Sequence, residues 1–148
     1  MLTRSRAINV TLTNVSGAPA DIAIAEEIAP TTGFASFTNP APFVLSDADG
    51  VHHVLVAIRD AAGNVRQLGQ RTIVLDRAAP AATVTINSGA ARTGNATVRV
   101  TINATDLSGL AAMAVANDAP PTIDPATPYA SSFAWNLTPV APGAARAP

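Results

Sequence analysis

Short runs in which apolar and polar residues alternate recur along this chain, and they constrain its fold more than any other feature. In one of them, Val54, Val56 and Ile58 fall on the same face when the segment is drawn as a strand. A period of two over a few residues is typical of a strand with one buried face. The runs with this pattern are Ile8–Leu12, Val54–Arg59, Thr72–Leu75, Ala82–Ile86 and Val98–Ile102. The sequence therefore predicts an all-β fold.

Turn signals separate these runs. Glycine stands beside Asp, Asn or Ser, a pairing that favours tight turns, at Asp49-Gly50, Gly63-Asn64, Ser88-Gly89 and Ser108-Gly109. The 12 prolines discourage long helices, because proline lacks the backbone N–H that a helix interior needs. Asp21–Ile28, with its alanines and two glutamates, is also open to a helical interpretation. We predict a strand over Asp21–Ala25 because Ile22 and Ile24 alternate with smaller residues.

The chain contains an internal repeat. Thr3–Thr13 aligns with Thr93–Asn103, so that Ile8 falls on Val98. The later matches are Asn14–Gly17 with Asp106–Gly109, Ile22–Ala25 with Met113–Ala116, Phe34–Ser36 with Tyr129–Ser131, Phe43 with Trp135 and Leu45 with Leu137. The period is about 90 residues, which is close to the size of one immunoglobulin-type sandwich. We therefore expect two copies of one antiparallel β-sandwich in tandem.

The two copies differ at their ends. The second has an opening strand, Ala82–Asn87, with no counterpart before Thr3, whereas the first has closing strands with no counterpart after Gly143. The expected domains are residues 1–77, a repeat without its opening strand, and residues 78–148, a repeat without its closing strands, joined at the hinge Asp76–Pro80. Because missing strands leave sheet edges uncovered, we expect the second copy to be unstable alone or to recruit strands from a neighbour.

One segment carries a family resemblance. Arg59–Val65 has the pattern Asp-x-x-Gly-Asn, and Thr72–Asp76 and then Ala79-Pro80 follow it. This order resembles the closing hairpin and linker of bacterial immunoglobulin-like repeats, which occur in large surface proteins and adhesins. Thr105–Met113 looks like the second-strand region of the same modules. The resemblance implies tandem immunoglobulin-like β-sandwiches, the second incomplete, with a structural or adhesive role outside the cell and neighbouring repeats as partners.

Composition and charge exclude several classes of function. The net charge of −1 argues against binding to nucleic acid or to an anionic membrane, since both need a basic face. The absence of cysteine excludes disulfides, thiolate chemistry and cysteine-type zinc sites. No apolar run approaches the roughly 18 residues of a membrane span. Met1–Arg6 carries positive charge but lacks the apolar stretch of a signal peptide behind it, so extracellular location is implied by the resemblance alone.

The sequence suggests no catalytic, cofactor or metal site, and we expect a protein that is not an enzyme. Its two histidines, His52 and His53, are adjacent, so on a strand their side chains point to opposite faces. No third metal ligand accompanies them, and we expect both to be exposed or half-packed. The serines lack a paired histidine and acid, so a hydrolase triad is not supported.

Acidic residues in the turns are open to two interpretations. Asp47-Ala48-Asp49-Gly50 resembles the start of a calcium loop but lacks the later ligands, so a plain turn is favoured. Asp60, Asn64 and Asp76 are candidates for a calcium site near a module junction or for turn capping, and Asp106 has the same two interpretations. Turn capping is the favoured interpretation for all four residues.

The aromatic residues near the end support an alternative function. Tyr129, Phe133 and Trp135 are candidates for a sugar-stacking platform or for core packing, with core packing favoured. A platform would make the chain an accessory carbohydrate-binding module of a secreted enzyme, held by Tyr129 and Trp135. A third interpretation is a partial gene product without independent function, which would account for the mismatch between chain and repeat boundaries.

Overall fold

The chain folds into β-structure in a computed structural model that describes residues 1–117 and 127–138. Within those ranges the only helical element is the short 3-10 turn Asn87–Gly89. The chain divides into two compact units, Met1–Ala78 and a second unit that begins at Ala79. The prediction of an all-β protein is confirmed, and the arrangement in several sheets is consistent with a β-sandwich.

The first unit contains two sheets. Its strands are β1 (Leu2–Thr3), β2 (Ala7–Val10), β3 (Asp21–Glu26), β4 (Ala35–Ser36), β5 (Ala41–Val44), β6 (Gly50–Arg59) and β7 (Val65–Leu75). The larger sheet has the order β1-β7-β6-β3-β4, and the smaller one pairs β2 with β5. Neighbouring strands are antiparallel except β1, which runs parallel to β7. The segment that was open to a helical interpretation is strand β3.

The alternating pattern explains which residues form the core of this unit. Along β6, His52, Val54, Val56 and Ile58 are buried on one face. Val56 and Ile58 pack with Ala41 of the smaller sheet, so the apolar faces of the two sheets meet. Closer to the end of β7, Leu45, Val54, Ile73 and Leu75 form a second buried cluster. The core therefore lies between the sheets, as the period-two pattern requires.

A bulge adjusts the register of the longest strand pair. The pairing between β6 and β7 shifts between Leu55 and Ala57, opposite Leu68 and Gly69. Gly69 has a φ of 83°, a left-handed conformation that glycine adopts without steric cost. The extra residue turns Leu68 towards the buried cluster around Val56.

The second unit has one three-stranded sheet in the part of it that is described. Its strands are β8 (Ala81–Ile86), β9 (Thr97–Thr105) and β10 (Ser132–Asn136), in the order β10-β9-β8, and both pairs are antiparallel. Val98 and Val100 of β9 are buried. The match of Met113–Ala116 to strand β3 does not extend to secondary structure, because that segment is not a strand. In the first unit β3 is paired along its length by β6, and no described strand plays that part for Met113–Ala116.

Candidate functional site

Arg77 is the centre of a charged cluster at the point where the chain leaves the first unit. Its Nε donates to Asp49 Oδ1 at 2.6 Å, and its Nη1 donates to Asp47 Oδ1 at 2.8 Å. Its Nη2 donates to the Asp47 carbonyl oxygen at 2.7 Å, and its backbone N–H donates to Asp49 Oδ2 at 3.2 Å. One arginine therefore holds the turn between β5 and β6 through both of its aspartates.

The turn residues and a second arginine complete this cluster. Arg6 Nη1 lies 3.3 Å from Asp47 Oδ1, and Arg6 Nε donates to the Leu45 carbonyl oxygen at 2.8 Å. The hydrogen bond from Arg77, and the charges of Arg6 and Arg77, hold the pKa of Asp47 below its usual value. Hydrogen bonds from Arg77 lower the pKa of Asp49 in the same way, and the pKa of Arg77 is raised by both carboxylates.

These contacts favour the plain-turn interpretation of Asp47–Gly50. The carboxylates that resemble the start of a calcium loop are bound to guanidinium groups. Across residues 1–117 and 127–138, no group of three or more His, Cys, Asp or Glu side chains is placed to hold a metal ion. The arrangement is that of a turn locked by ion pairs.

His52 does not lie where the sequence indicated. We expected an exposed or half-packed ring, but His52 is only 4% exposed and belongs to the inward face of β6. Its Nε2 lies 2.8 Å from the Ala48 carbonyl oxygen, which can only accept, so this nitrogen carries the proton. Its Nδ1 lies 3.4 Å from Ser46 Oγ and 3.4 Å from Glu26 Oε2. A buried histidine is tolerated here because every ring nitrogen has a polar neighbour.

Glu26 ties the same turn to strand β3. Its Oε1 accepts the Ser46 backbone N–H at 2.8 Å. Although burial alone would raise the pKa of Glu26, the side-chain and backbone hydrogen bonds from Ser46, together with the nearby His52 ring, outweigh that effect and hold the pKa below its usual value. The turn between β5 and β6 is therefore held by three side chains from different parts of the chain: Glu26 of β3, His52 of β6 and Arg77 after β7.

His53 is half-buried on the opposite face of β6, as expected for a residue adjacent to His52 on a strand. Its Nδ1 lies 2.6 Å from Gln70 Nε2.

The hairpin between β6 and β7 has the expected cap. Asp60 accepts hydrogen bonds from the backbone N–H groups of Ala62 and Asn64, both at 2.9 Å, and from Asn64 Nδ2 at 2.9 Å. Gly63 adopts the left-handed φ of 89° that the turn needs. The hydrogen bonds from Asn64 are the main cause of the lowered pKa of Asp60.

The calcium candidates of the first unit, Asp60, Asn64 and Asp76, do not converge. Asp76 follows the end of β7, whereas Asp60 and Asn64 precede its start, and a strand of this length separates them by about 30 Å. Asp76 is buried, and its Oδ1 accepts the Ala78 N–H at 3.2 Å. Asp106 accepts the Ser108 N–H at 2.9 Å and the Ser108 hydroxyl at 2.7 Å. These contacts agree with the capping interpretation.

The aromatic residues of the second unit do not form a flat platform. The rings of Phe133 and Trp135 meet edge to face at 86°, with centroids 6.5 Å apart. Trp135 Nε1 donates to Asn117 Oδ1 at 3.1 Å, and the Tyr129 hydroxyl donates to the Ile102 carbonyl oxygen at 3.0 Å. Tyr129 and Trp135 are both half-buried with their polar ends occupied, which favours a packing role.

The two units share one pairing register. Ile8 lies opposite Phe43 in the β2–β5 pair, and Val98 lies opposite Trp135 in the β9–β10 pair. These are the residues that the internal alignment matches. The neighbouring backbone bonds also correspond: Leu45 N–H to the Arg6 carbonyl at 2.9 Å, and Leu137 N–H to the Ala96 carbonyl at 2.8 Å. The matched glycines, Gly17 and Gly109, have φ values of 84° and 86°.

The strands at the two ends of the first unit lie side by side. Leu2 pairs with Val74 and Thr3 pairs with Leu75 in a parallel arrangement. The Val74 N–H donates to the Met1 carbonyl oxygen at 2.8 Å, and the Asp76 N–H donates to the Thr3 carbonyl oxygen at 3.0 Å. In a parallel pair, pulling the first strand back and the second forward loads these bonds in shear.

Comparison with known proteins identifies no relative: no family model, no curated protein and no solved structure matches the chain. As to membranes, the described part of the chain contains no helix with the length and apolar content needed to cross one.

Sequence reasoning missed two of the residues that grip the turn. Arg77 was treated as part of a hinge, and Glu26 only as part of a segment of uncertain structure. A signal for Arg77 did exist, because this arginine stands two residues after the closing strand of a unit in which one turn carries two closely spaced aspartates, Asp47 and Asp49. The contact itself depends on the pairing of the start of β6 with the end of β7.

Proposed function

We propose that this chain is a pair of immunoglobulin-like modules from a bacterial cell-surface protein, with a structural or adhesive role that involves no catalysis. The shared pairing register of β2–β5 and β9–β10 supports the view that the units are copies of one module. The capped Asp60 hairpin supports the family resemblance, because it has the geometry that the Asp-x-x-Gly-Asn pattern implies.

A mechanical role is the specific form of this proposal. The observation that carries it is the parallel pairing of β1 with the end of β7, because force applied along the chain reaches both strands directly. Hydrogen bonds loaded in shear must break together, whereas bonds peeled from one end break one at a time. The ion pairs of Arg77 add resistance to unfolding under force at the end of the first unit, because they tie Arg77 to Asp47 and Asp49.

Single-molecule pulling on tandem copies of the full chain tests this proposal. We expect removal of residues 1–3 to lower the unfolding force of the first unit, because the backbone bonds from Val74 and Asp76 are lost. The matched control is Leu2→Ala, which keeps the backbone bonds and alters a side chain that is 56% exposed. An unfolding force that is the same with and without residues 1–3 would refute the mechanical role.

A further inference from the structure

The chain contains more Asn-x-Ser/Thr triplets than its composition explains. Nine residues are asparagine, and five of them are followed two positions later by Ser or Thr, although Ser and Thr make up only 24 of the 148 residues. The middle residue is never proline. This triplet, the sequon, is the acceptor motif for asparagine-linked sugars in secreted proteins. The five sequon asparagines are Asn9, Asn14, Asn95, Asn103 and Asn136.

Strand alternation accounts for part of this excess. Asn9 lies in β2 and Asn103 lies in β9, and on a strand the residue two positions later points to the same face. An outward polar face therefore produces the triplet without any role in modification. The number of sequons does not select a site, but the contacts of their side chains do.

The asparagines outside a sequon all have hydrogen-bonded side chains. Their partners are Leu12 for Asn39, Asp60 for Asn64, Arg99 for Asn87 and Trp135 for Asn117. Among the sequon asparagines, Asn136 is held in the same way, because its Oδ1 accepts the Thr97 hydroxyl at 2.7 Å. The side chains of the other four are exposed and make no hydrogen bond within the described part of the chain.

Three of these four sequons are not fully accessible. Asn9 and Asn103 lie in paired strands, and a strand must detach from its sheet before an enzyme can enclose it. Asn95 precedes β9, but the Thr97 hydroxyl that completes its sequon is donated to Asn136. An enzyme that reads both the amide and the hydroxyl therefore meets an obstacle at each of the three.

The sequon of Asn14 has no such obstacle. It lies in the irregular segment 11–20 between β2 and β3, where Asn14 and Ser16 are both exposed. Neither side chain makes a hydrogen bond with any described residue. The space around the segment is open, since a Cβ added at Gly17 would meet nothing within 4 Å. A bulky group on Asn14 therefore fits without displacing the fold.

Backbone conformation gives a second reason for asparagine at position 14. Its φ of 55° is left-handed, and asparagine tolerates that region better than most residues. This explains the asparagine but not the free hydroxyl of Ser16 two positions later. The two roles are separable, because a change at Ser16 destroys the sequon and leaves Asn14 in place.

We propose that Asn14 is a site of asparagine-linked glycosylation and that the fold selects it over the other four sequons. The donor is a sugar diphosphate. Asn14 Nδ2 forms a bond to the anomeric carbon of the sugar, and the bond from that carbon to the diphosphate oxygen breaks. The diphosphate leaves with the electron pair, and the amide nitrogen loses one proton. This modification goes beyond the proposed function and is independent of the mechanical role.

Mass spectrometry of the full chain isolated from its native host tests the proposal. Trypsin leaves Asn9 and Asn14 on one peptide, residues 7–59, because no Arg or Lys separates them. We expect this peptide to carry the mass of added sugar, and fragmentation to place that mass on Asn14. Occupancy at the other four sequons should be lower.

Variants at serine separate the sequon from the asparagine. Ser16→Ala should abolish the added mass, and Ser16→Thr should retain it, because threonine also completes the sequon. Ser36→Ala is the matched control, since Ser36 is exposed and completes no sequon. Thermal melts should be the same for all three variants, because neither serine makes a side-chain hydrogen bond with the described residues.

Three results would overturn the proposal. The first is an unmodified Asn14 in the chain from its native host. The second is sugar mass that persists in Ser16→Ala, since the sequon would then not direct the modification. The third is equal occupancy of all five sequons, which would show that the fold does not select Asn14. None of these results changes the expected unfolding force of the first unit.

Discussion

Arg77 Nε lies 2.6 Å from Asp49 Oδ1, so a residue two positions after the end of β7 is tied to the turn that precedes β6. The same guanidinium reaches Asp47. Arg77 is distant from Asp47 and Asp49 in sequence but adjacent to them in space, because the start of β6 pairs with the end of β7. The ion pairs therefore fix the position of the chain at Arg77, after the end of β7, relative to the acidic turn.

Removal of the arginine should release both carboxylates. In Arg77→Ala we expect the pKa values of Asp47 and Asp49 to rise towards their ordinary range, because their main hydrogen-bond donor is lost. Carboxyl carbon chemical shifts followed by NMR during a pH titration measure the change. The control is Arg4→Ala, at an exposed arginine outside this cluster. Unchanged titration of both aspartates in Arg77→Ala would show that the cluster does not exist in solution.

The first unit should lose stability in acid. The pKa values of Glu26, Asp47, Asp49 and Asp60 are all lowered in the folded chain. A carboxyl with a lowered folded pKa stabilises the fold above its unfolded pKa, and this contribution is lost as the pH falls through the folded pKa. We therefore expect Tm to be constant near neutral pH and to fall below about pH 4.5.

The acid effect has a clear control. Replacing Asp47 and Asp49 by asparagine should make the fall in Tm between pH 5 and pH 3 shallower, because two of the responsible carboxyls are gone. Circular dichroism melts of both chains across this range measure it. A Tm that does not change from pH 7 to pH 3 in the unmodified chain would contradict the prediction.

The two adjacent histidines should differ in their contribution to stability. His52→Ala removes a buried ring and leaves the Ala48 carbonyl without its donor, which should cost about 2–4 kcal/mol. His53→Ala, on the more open face, should cost about 1 kcal/mol or less. Urea denaturation of both variants gives the free energies of unfolding, and equal losses would show that His52 is not buried.

A second adjacent pair tests the position of the core. Leu45 is fully buried, whereas Val44 on the opposite face of the chain is 61% exposed. We expect Leu45→Ala to destabilise the first unit by about 2–5 kcal/mol through lost burial and a residual cavity. Val44→Ala should change the free energy of unfolding by about 0.5 kcal/mol at most. Similar effects at both positions would place the core elsewhere.

Local physical rules explain what the sequence predicted well. Strand β3, the inward face of β6 and the capped hairpin at Asp60 follow from alternation and turn chemistry, which operate over a few residues. The internal alignment matched Phe43 to Trp135, and in the structure these residues lie opposite Ile8 and Val98, which the alignment also matched.

The predictions that failed concern contacts between distant segments. His52 has a polar side chain in an alternating strand, and its burial depends on Ala48, Ser46 and Glu26 converging on it. The alignment of Met113–Ala116 with Ile22–Ala25 made no prediction of secondary structure, and Met113–Ala116 is not a strand.

The sequence by itself determined the all-β class, the positions of most strands and turns, and the alignment of two similar segments. Only the tertiary structure decided that Arg77 binds Asp47 and Asp49, that His52 is buried, and that β2 pairs with β5. The physical reason is range: propensity and periodicity act between neighbours in the chain, whereas ion pairs, burial and strand pairing depend on which distant segments meet.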